Sequence, residues 1–162
     1  MTGSILQVSV SQGGVPKHAI PIGILTQLGI EGDVHAHPEI HGGVDRAVLL
    51  ITAEGIEELA ALGFPLTFGS LGENLTTRGI GRGDWRVGQR WRIGAEVVIE
   101  IRKRRAPCQQ LNVYGPRLQA AVYDQQTRDG DPSSPKWGLS GVYASVVTPG
   151  LVLPGDAIIL AP

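Results

Sequence analysis

Apolar and polar residues alternate over residues 5–10, 97–101 and 141–147, the period of two that marks a strand with one face buried. Residues 47–52 and 157–160 are unbroken apolar runs of strand length, which predicts strands covered on both faces. Residues 18–22, 75–77 and 90–93 add three shorter strands between turn signals. Helical spacing occurs twice. Thr52 is a natural N-cap with Glu54 in the first turn, Ile56, Leu59, Ala60 and Leu62 on one face, and Gly63 as the stop. A second helix is predicted over residues 116–125, with Leu118, Ala121 and Val122 on one face. Residues 127–137, rich in turn formers with little to bury, read as a mobile surface loop. Many short strands, Gly-rich turns and two helices predict a mainly β fold, a barrel or sandwich with a few short helices, in one domain spanning residues 1–162.

Composition agrees. The 23 glycines and 11 prolines disfavour a helical bundle, because both residues break helix interiors. A hydrophobic share of 42% is enough for a packed core. The formal net charge of −1 lacks the basic excess of a nonspecific nucleic-acid binder, and no nucleic-acid partner is expected. No apolar run approaches the roughly 20 residues that span a bilayer, and the first residues lack the cationic and apolar parts of a secretory leader. With a single cysteine, Cys108, no internal disulfide can form, and a cytoplasmic location away from membranes is expected.

Three segments carry candidate chemistry. Cys108 follows four consecutive cations, Arg102, Lys103, Arg104 and Arg105. Strand alternation puts Lys103 and Arg105 on the face of Ile99 and Ile101, leading from the core to its mouth. Pro107 cannot donate to a ladder, so pairing should stop just before the cysteine. A thiol beside several cations at a strand end serves as nucleophile or soft-metal ligand; a buried, inert cysteine beside a charged edge strand is the alternative. The second segment holds His35, His37 and His41, a possible zinc set or simply solvated loop histidines, followed by Gly42-Gly43 and Arg46. Paired glycines let a backbone approach an anion, which Arg46 could bind, although most such pairs are only turns. In the third, Glu73 and Asn74 follow two glycines. Asn74 could read the edge of a heterocycle, or both residues could form a turn into the strand at 75–77. There is no Walker A, GxSxG or CxxC motif.

Taken in order, these pieces resemble the MOSC domain family, the domain shared with the C-terminal regions of molybdenum cofactor sulfurases. The matching elements are Gly32-Asp33, His41-Gly42-Gly43 with Asp45-Arg46-Ala47-Val48, Gly72-Glu73-Asn74-Leu75-Thr76, Val87-Gly88 with Ile93-Gly94, Arg105-Ala106-Pro107-Cys108, Gly141-Val142-Tyr143 and Gly155-Asp156. The resemblance implies a MOSC-like β-barrel that handles the molybdenum cofactor (molybdopterin), with Cys108 as catalytic residue and metal ligand. It implies cofactor contacts from His41, Gly42, Gly43, Arg46, Glu73, Asn74 and Arg105. Small stand-alone members imply detoxification of N-hydroxylated bases by an oxidoreductase that draws on an electron-donor reductase. The alternatives are a sulfur carrier that takes a persulfide on Cys108 from a cysteine desulfurase, and a binding domain without catalysis. Two positions depart from the family pattern: Ser145 stands where an arginine is usual, and Gln89 where an aspartate is common. Lys17, Lys103 and Lys136, the three lysines, lie in no Schiff-base context, so pyridoxal phosphate is not expected.

Overall fold

The computed structural model describes residues 1–35 and 42–162. Strands β1 (Thr2–Val10), β2 (His18–Ile20), β3 (Gly23–Thr26) and β4 (Gly29–Ile30) come first, then β5 (Val48–Thr52), helix α1 (Ala53–Ala61) and β6 (Leu75–Arg78). After these come β7 (Arg90–Ile93), β8 (Val97–Arg104), the short helices α2 (Leu118–Val122) and α3 (Gln125–Asp129), β9 (Val142–Thr148), β10 (Gly150–Val152) and β11 (Ala157–Leu160). Strands run in the order β11-β7-β8-β9-β5-β6-β1, and β11 pairs again with β1, which closes a seven-stranded barrel. Every pair in the ring is antiparallel except β5–β6, where α1 supplies the crossover that parallel strands require. β2 extends the sheet from the far half of β1, and β10-β3-β4 form a small second sheet that sends Leu25, Ile30 and Val152 into the barrel core.

β5 explains why a continuous apolar run folds as it does. All five of its residues are buried. Val48 and Leu50 point into the barrel, whereas Leu49 and Ile51 join an outer cluster with Ile56, Leu59, Leu111 and Leu118. The predicted Thr52 cap forms, its hydroxyl accepting from the Gly55 N–H at 3.1 Å.

Four expectations need correction. First, residues 127–137 are not a loose loop: α3 ends within them, Thr127 and Ser134 are buried, and Trp137 packs under Arg104. Asp124 organises the segment by accepting from the Thr127 N–H and the Ser134 hydroxyl, and the Thr127 N–H holds its carboxyl below the usual range. Second, the helix over 116–125 breaks at Tyr123 and Asp124, whose extended backbones separate α2 from α3. Third, alternation over 5–10 is interrupted by a bulge between Ile5 and Gln7, so Ile5 and Val8, three residues apart, both face the core.

The fourth correction concerns the cations. Ile101 pairs with Ala144 of the inner face, yet Lys103 pairs with Tyr143 of the outer cluster, across a bulge at Arg102. Lys103 therefore sits on the face opposite Ile99 and Ile101, because one extra residue reverses the phase of every side chain beyond it. Arg105 follows on that same outer side.

Candidate functional site

A cavity opens on the outer flank of the barrel, where β8 ends and β5, β6 and β9 begin. Arg46, Leu49, Asn74, Arg105 and Tyr143 form its wall, with Lys17, His35 and Gln110 at its margins. Three of the predicted site residues, Arg46, Asn74 and Arg105, thus meet in one place.

Arg105 is fixed by its backbone. Its N–H donates to the Gly141 carbonyl at 2.9 Å. Gly141 has φ +93°, and a Cβ there would lie 2.7 Å from Ile51 Cγ1 and 2.8 Å from the Leu50 carbonyl, so only glycine lets β9 start this close to β5. The Arg105 side chain is 5% exposed, and its Nη1 is buried without a hydrogen-bond partner among the described residues. A guanidinium offers five N–H donors and no acceptor, and a buried donor left unpaired costs about 1–3 kcal/mol, more when charged. A planar oxyanion is the natural complement.

Arg46 ends a 3-10 turn (Val44–Arg46) whose closing bond runs from its own N–H to the Gly43 carbonyl at 3.0 Å. Its guanidinium lies 5.9 Å from the centre of the Tyr143 ring. Gly42 and Gly43 do not line the cavity; Gly43 acts through the turn that aims Arg46. His41 and His37 lie outside the described residues, so the three-histidine set cannot be placed; His35 alone is seen, at the cavity margin. Burial pushes the His35 imidazole below its ordinary value, with Asp33 pulling it back up and Lys17 adding to the decrease.

Asn74 is fully committed within the protein. Its amide donates to Asp33 Oδ2 at 2.9 Å and to the Ser9 carbonyl at 3.2 Å, while its oxygen accepts from the Leu49 N–H at 3.1 Å. It ties β1, β5 and β6 together beneath the cavity instead of presenting free donors to it. Asp33 in turn binds Lys17 Nζ at 2.5 Å and accepts from the Ser11 N–H at 2.9 Å, which neutralises Lys17.

Glu73 lies behind this wall, completely buried. Its Oε1 accepts from the Gly69 N–H at 2.5 Å and the Thr76 hydroxyl at 3.2 Å. Gly69 itself has φ +93°, and a Cβ there would collide with the Lys17 carbonyl, so this glycine brings the Lys17 backbone and the Glu73 carboxyl together. Burial pushes the Glu73 carboxyl up, against those hydrogen bonds and the Arg105 charge.

Cys108 is half-buried and precedes the 3-10 turn Gln109–Tyr114, its carbonyl accepting from the Leu111 N–H at 3.2 Å. It does not itself line the cavity. Arg105 and Gln110 do, while Ala106 and Pro107 line a separate groove with Pro116, Tyr123 and Arg128. Residues 105–110 thus form a wall between the two depressions, with the thiol in it. Sequence reasoning missed Lys17, Gln110 and Tyr143 as cavity-lining residues, and considered His35 only as a possible zinc ligand. Tyr143 was within reach, because it stands inside the Gly141-Val142-Tyr143 element. Nothing local marked Lys17, whose role depends on Asp33 and Gly69 far along the chain.

Comparison with known proteins places this geometry. The MOSC domain profile matches residues 37–159. Protein YiiM of Escherichia coli strain K12 is 34% identical over 136 residues, covering 80% of this chain and 54% of YiiM. YflK of Bacillus subtilis strain 168 is 32% identical over 135 residues, covering 82% of this chain and 55% of its own length. The chain spans about half the length of the curated relatives it matches. Among solved structures, YuaD from Bacillus subtilis superposes with a TM-score of 0.74 at 20% identity, covering 99% of this chain and 96% of YuaD. YiiM from Escherichia coli gives 0.70 at 24% identity, with 100% and 70% covered.

Proposed function

Because the chain belongs to the MOSC domain family, we propose that it binds the molybdenum cofactor in the cavity beside Arg105 and reduces N-hydroxylated compounds. The observation that carries this reading is Arg105 itself: a buried guanidinium on the cavity wall, with one nitrogen lacking a partner among the described residues, three positions before a half-buried cysteine. The residues present fit an anionic cofactor. Arg105 and Arg46 would hold its phosphate by charge-assisted hydrogen bonds, and Cys108, in the wall segment between two cavity-lining residues, Arg105 and Gln110, though not itself in the lining, would supply the soft thiolate that molybdenum favours. When bound, the cofactor supplies a metal that cycles by two electrons. Asn74 and Asp33 keep the cavity floor rigid, and Gly43 and Gly141 aim the two arginines. No residue of this chain is a redox centre of its own in this reading, so the electrons come from a separate donor reductase. A cytoplasmic site of action fits such a donor.

The test is reduction of an N-hydroxylated base by the cofactor-loaded protein with a chemically reduced viologen dye as donor. Wild type is expected to consume dye in step with substrate, and Cys108→Ala to lose at least a hundredfold in rate. Equal rates for both proteins would sink the proposal.

The position of Cys108 in the wall, half-exposed and outside the cavity lining, favours one second reading. A cysteine desulfurase would transfer its sulfane sulfur to the Cys108 thiolate, regenerating its own thiol and leaving a persulfide here. Intact-mass analysis after incubation with a desulfurase and cysteine would then show one added sulfur, absent from Cys108→Ala.

A further inference from the structure

The small sheet β10-β3-β4 is built from two stretches that hold no charged side chain, residues 19–30 and 145–155. Its inner face is used by the barrel core, into which Leu25, Ile30 and Val152 pack. Strand alternation puts Ile24 and Leu151 on the outer face, where the antiparallel register sets them directly opposite each other. Ile22 and Leu153 continue that row by two residues on each strand, and Leu28 stands in the turn between β3 and β4. All five aliphatic side chains are between 40% and 69% exposed, and none lines the cavity beside Arg105.

Single exposed aliphatics are ordinary, but a contiguous group of them marks a contact surface. These five leave on the order of 500 Å² of apolar surface in water. A stable interface covers about 800 Å² on each partner, and between identical chains about 65% of it is apolar. The patch therefore supplies nearly the whole apolar share of one half of such an interface. Its margin decides what can cover it. Three acids touch it: Glu31, whose N–H donates to the Ile24 carbonyl, Glu96, packed against Gly150, and Asp156, whose carboxylate accepts from the Leu153 N–H. An acidic margin repels an anionic lipid surface. An uncharged centre asks for no opposite charge, so an identical patch satisfies it, and that is the condition for a two-fold contact. The edge strands β4 and β10 span only two and three residues, too short to carry a ladder between copies. We propose that the outer face of this sheet binds a second copy of the chain across a two-fold axis, face against face, with the Arg105 cavity of each copy outside the contact.

The test is sedimentation velocity of the full chain over a range of concentrations. Wild type is expected to dimerise with a Kd on the order of 10 μM, the weak end for an interface of this size. The dimer should tighten between about 0.05 M and 0.5 M salt, because the facing acidic margins repel and salt screens them. Ile24→Glu and Leu151→Glu should each raise the Kd at least tenfold while keeping the thermal transition of wild type. Leu62→Glu, as exposed as Leu28 but at the end of α1, should leave the dimer unchanged. An equimolar mixture of Ile24→Glu and Ile24→Lys should restore dimers that neither variant forms alone, which also shows that both are folded. Wild type that stays monomeric at every concentration, or a dimer that both Glu variants retain, would overturn the proposal. A dimer that weakens with salt would overturn it by placing charged pairs at the contact, and a monomer that floats with phosphatidylcholine vesicles would do so by making lipid the occupant.

Discussion

Asp33 holds three partners at once: Lys17 Nζ, the Ser11 N–H and the Asn74 amide. Its side chain is 2% exposed and that of Lys17 is 8%, so the ion pair is buried. Removing one member of such a pair leaves the other charged and unsolvated, at a cost of about 3–5 kcal/mol. Asp33→Ala is therefore expected to lower the unfolding free energy measured by urea titration by an amount in that range. A loss below about 1 kcal/mol, the scale of an exposed pair, would show that Lys17 finds water or another acid. At the same scale, Asn74 and Arg105 divide the work differently from the sequence expectation. Asn74 spends its hydrogen bonds inside the protein, while Arg105 keeps one in reserve. Residue type alone cannot distinguish them, since both are polar residues next to strands. The difference arises from partners up to 65 residues away in sequence.

Among the elements, β8 decides the site. Its inner residues Val97, Ile99 and Ile101 follow the alternation legible in the sequence, and the bulge at Arg102 then turns Lys103 and Arg105 outward. A bulge carries no period of its own, so a pattern read by twos continues straight through it and assigns the wrong face. The same happens at Leu6 in β1. Strands with one apolar face, the doubly buried β5 and the capped α1 were all legible because each satisfies a local rule over its own length. The break between α2 and α3 was not: Asp124 caps α3 through the Thr127 N–H, and its carboxylate is held in place by the Ser134 hydroxyl, ten residues on. Deleting Arg102 tests the phase argument. The ladder should close up by one residue, Arg105 should turn away from the cavity, and sulfate affinity should fall at least tenfold while far-UV circular dichroism stays native. Retained affinity in a folded deletion variant would mean that Arg105 is aimed by Gly141 and not by the bulge.

Over the whole molecule, barrel closure joins the two ends of the chain. Thr2, Gly3 and Ser4 pair with Ile159, Ile158 and Ala157, and β11 pairs on its other edge with β7. Ile158 is completely buried. Removing residues 157–162 would open two ladders and expose the core beneath them, so the truncated chain is expected to lose its cooperative thermal transition and to bind hydrophobic dyes. An unchanged melting temperature would show that the ring is held without β11. The barrel's outer flank, braced by α1, α2 and the Gln109–Tyr114 turn, is what brings Arg46, Arg105 and the Cys108 segment to one wall. Among the described residues no helix is long and apolar enough to cross a membrane.

The central claim is that this wall holds a molybdenum cofactor through Arg105 and Cys108. Its most direct test is the molybdenum content of protein purified anaerobically from a cofactor-producing host, for wild type, Arg105→Gln and Cys108→Ala in parallel. The proposed reading predicts about one molybdenum per wild-type chain, a marked loss in Arg105→Gln and none in Cys108→Ala. Equal molybdenum in all three proteins, or none in wild type, would contradict it.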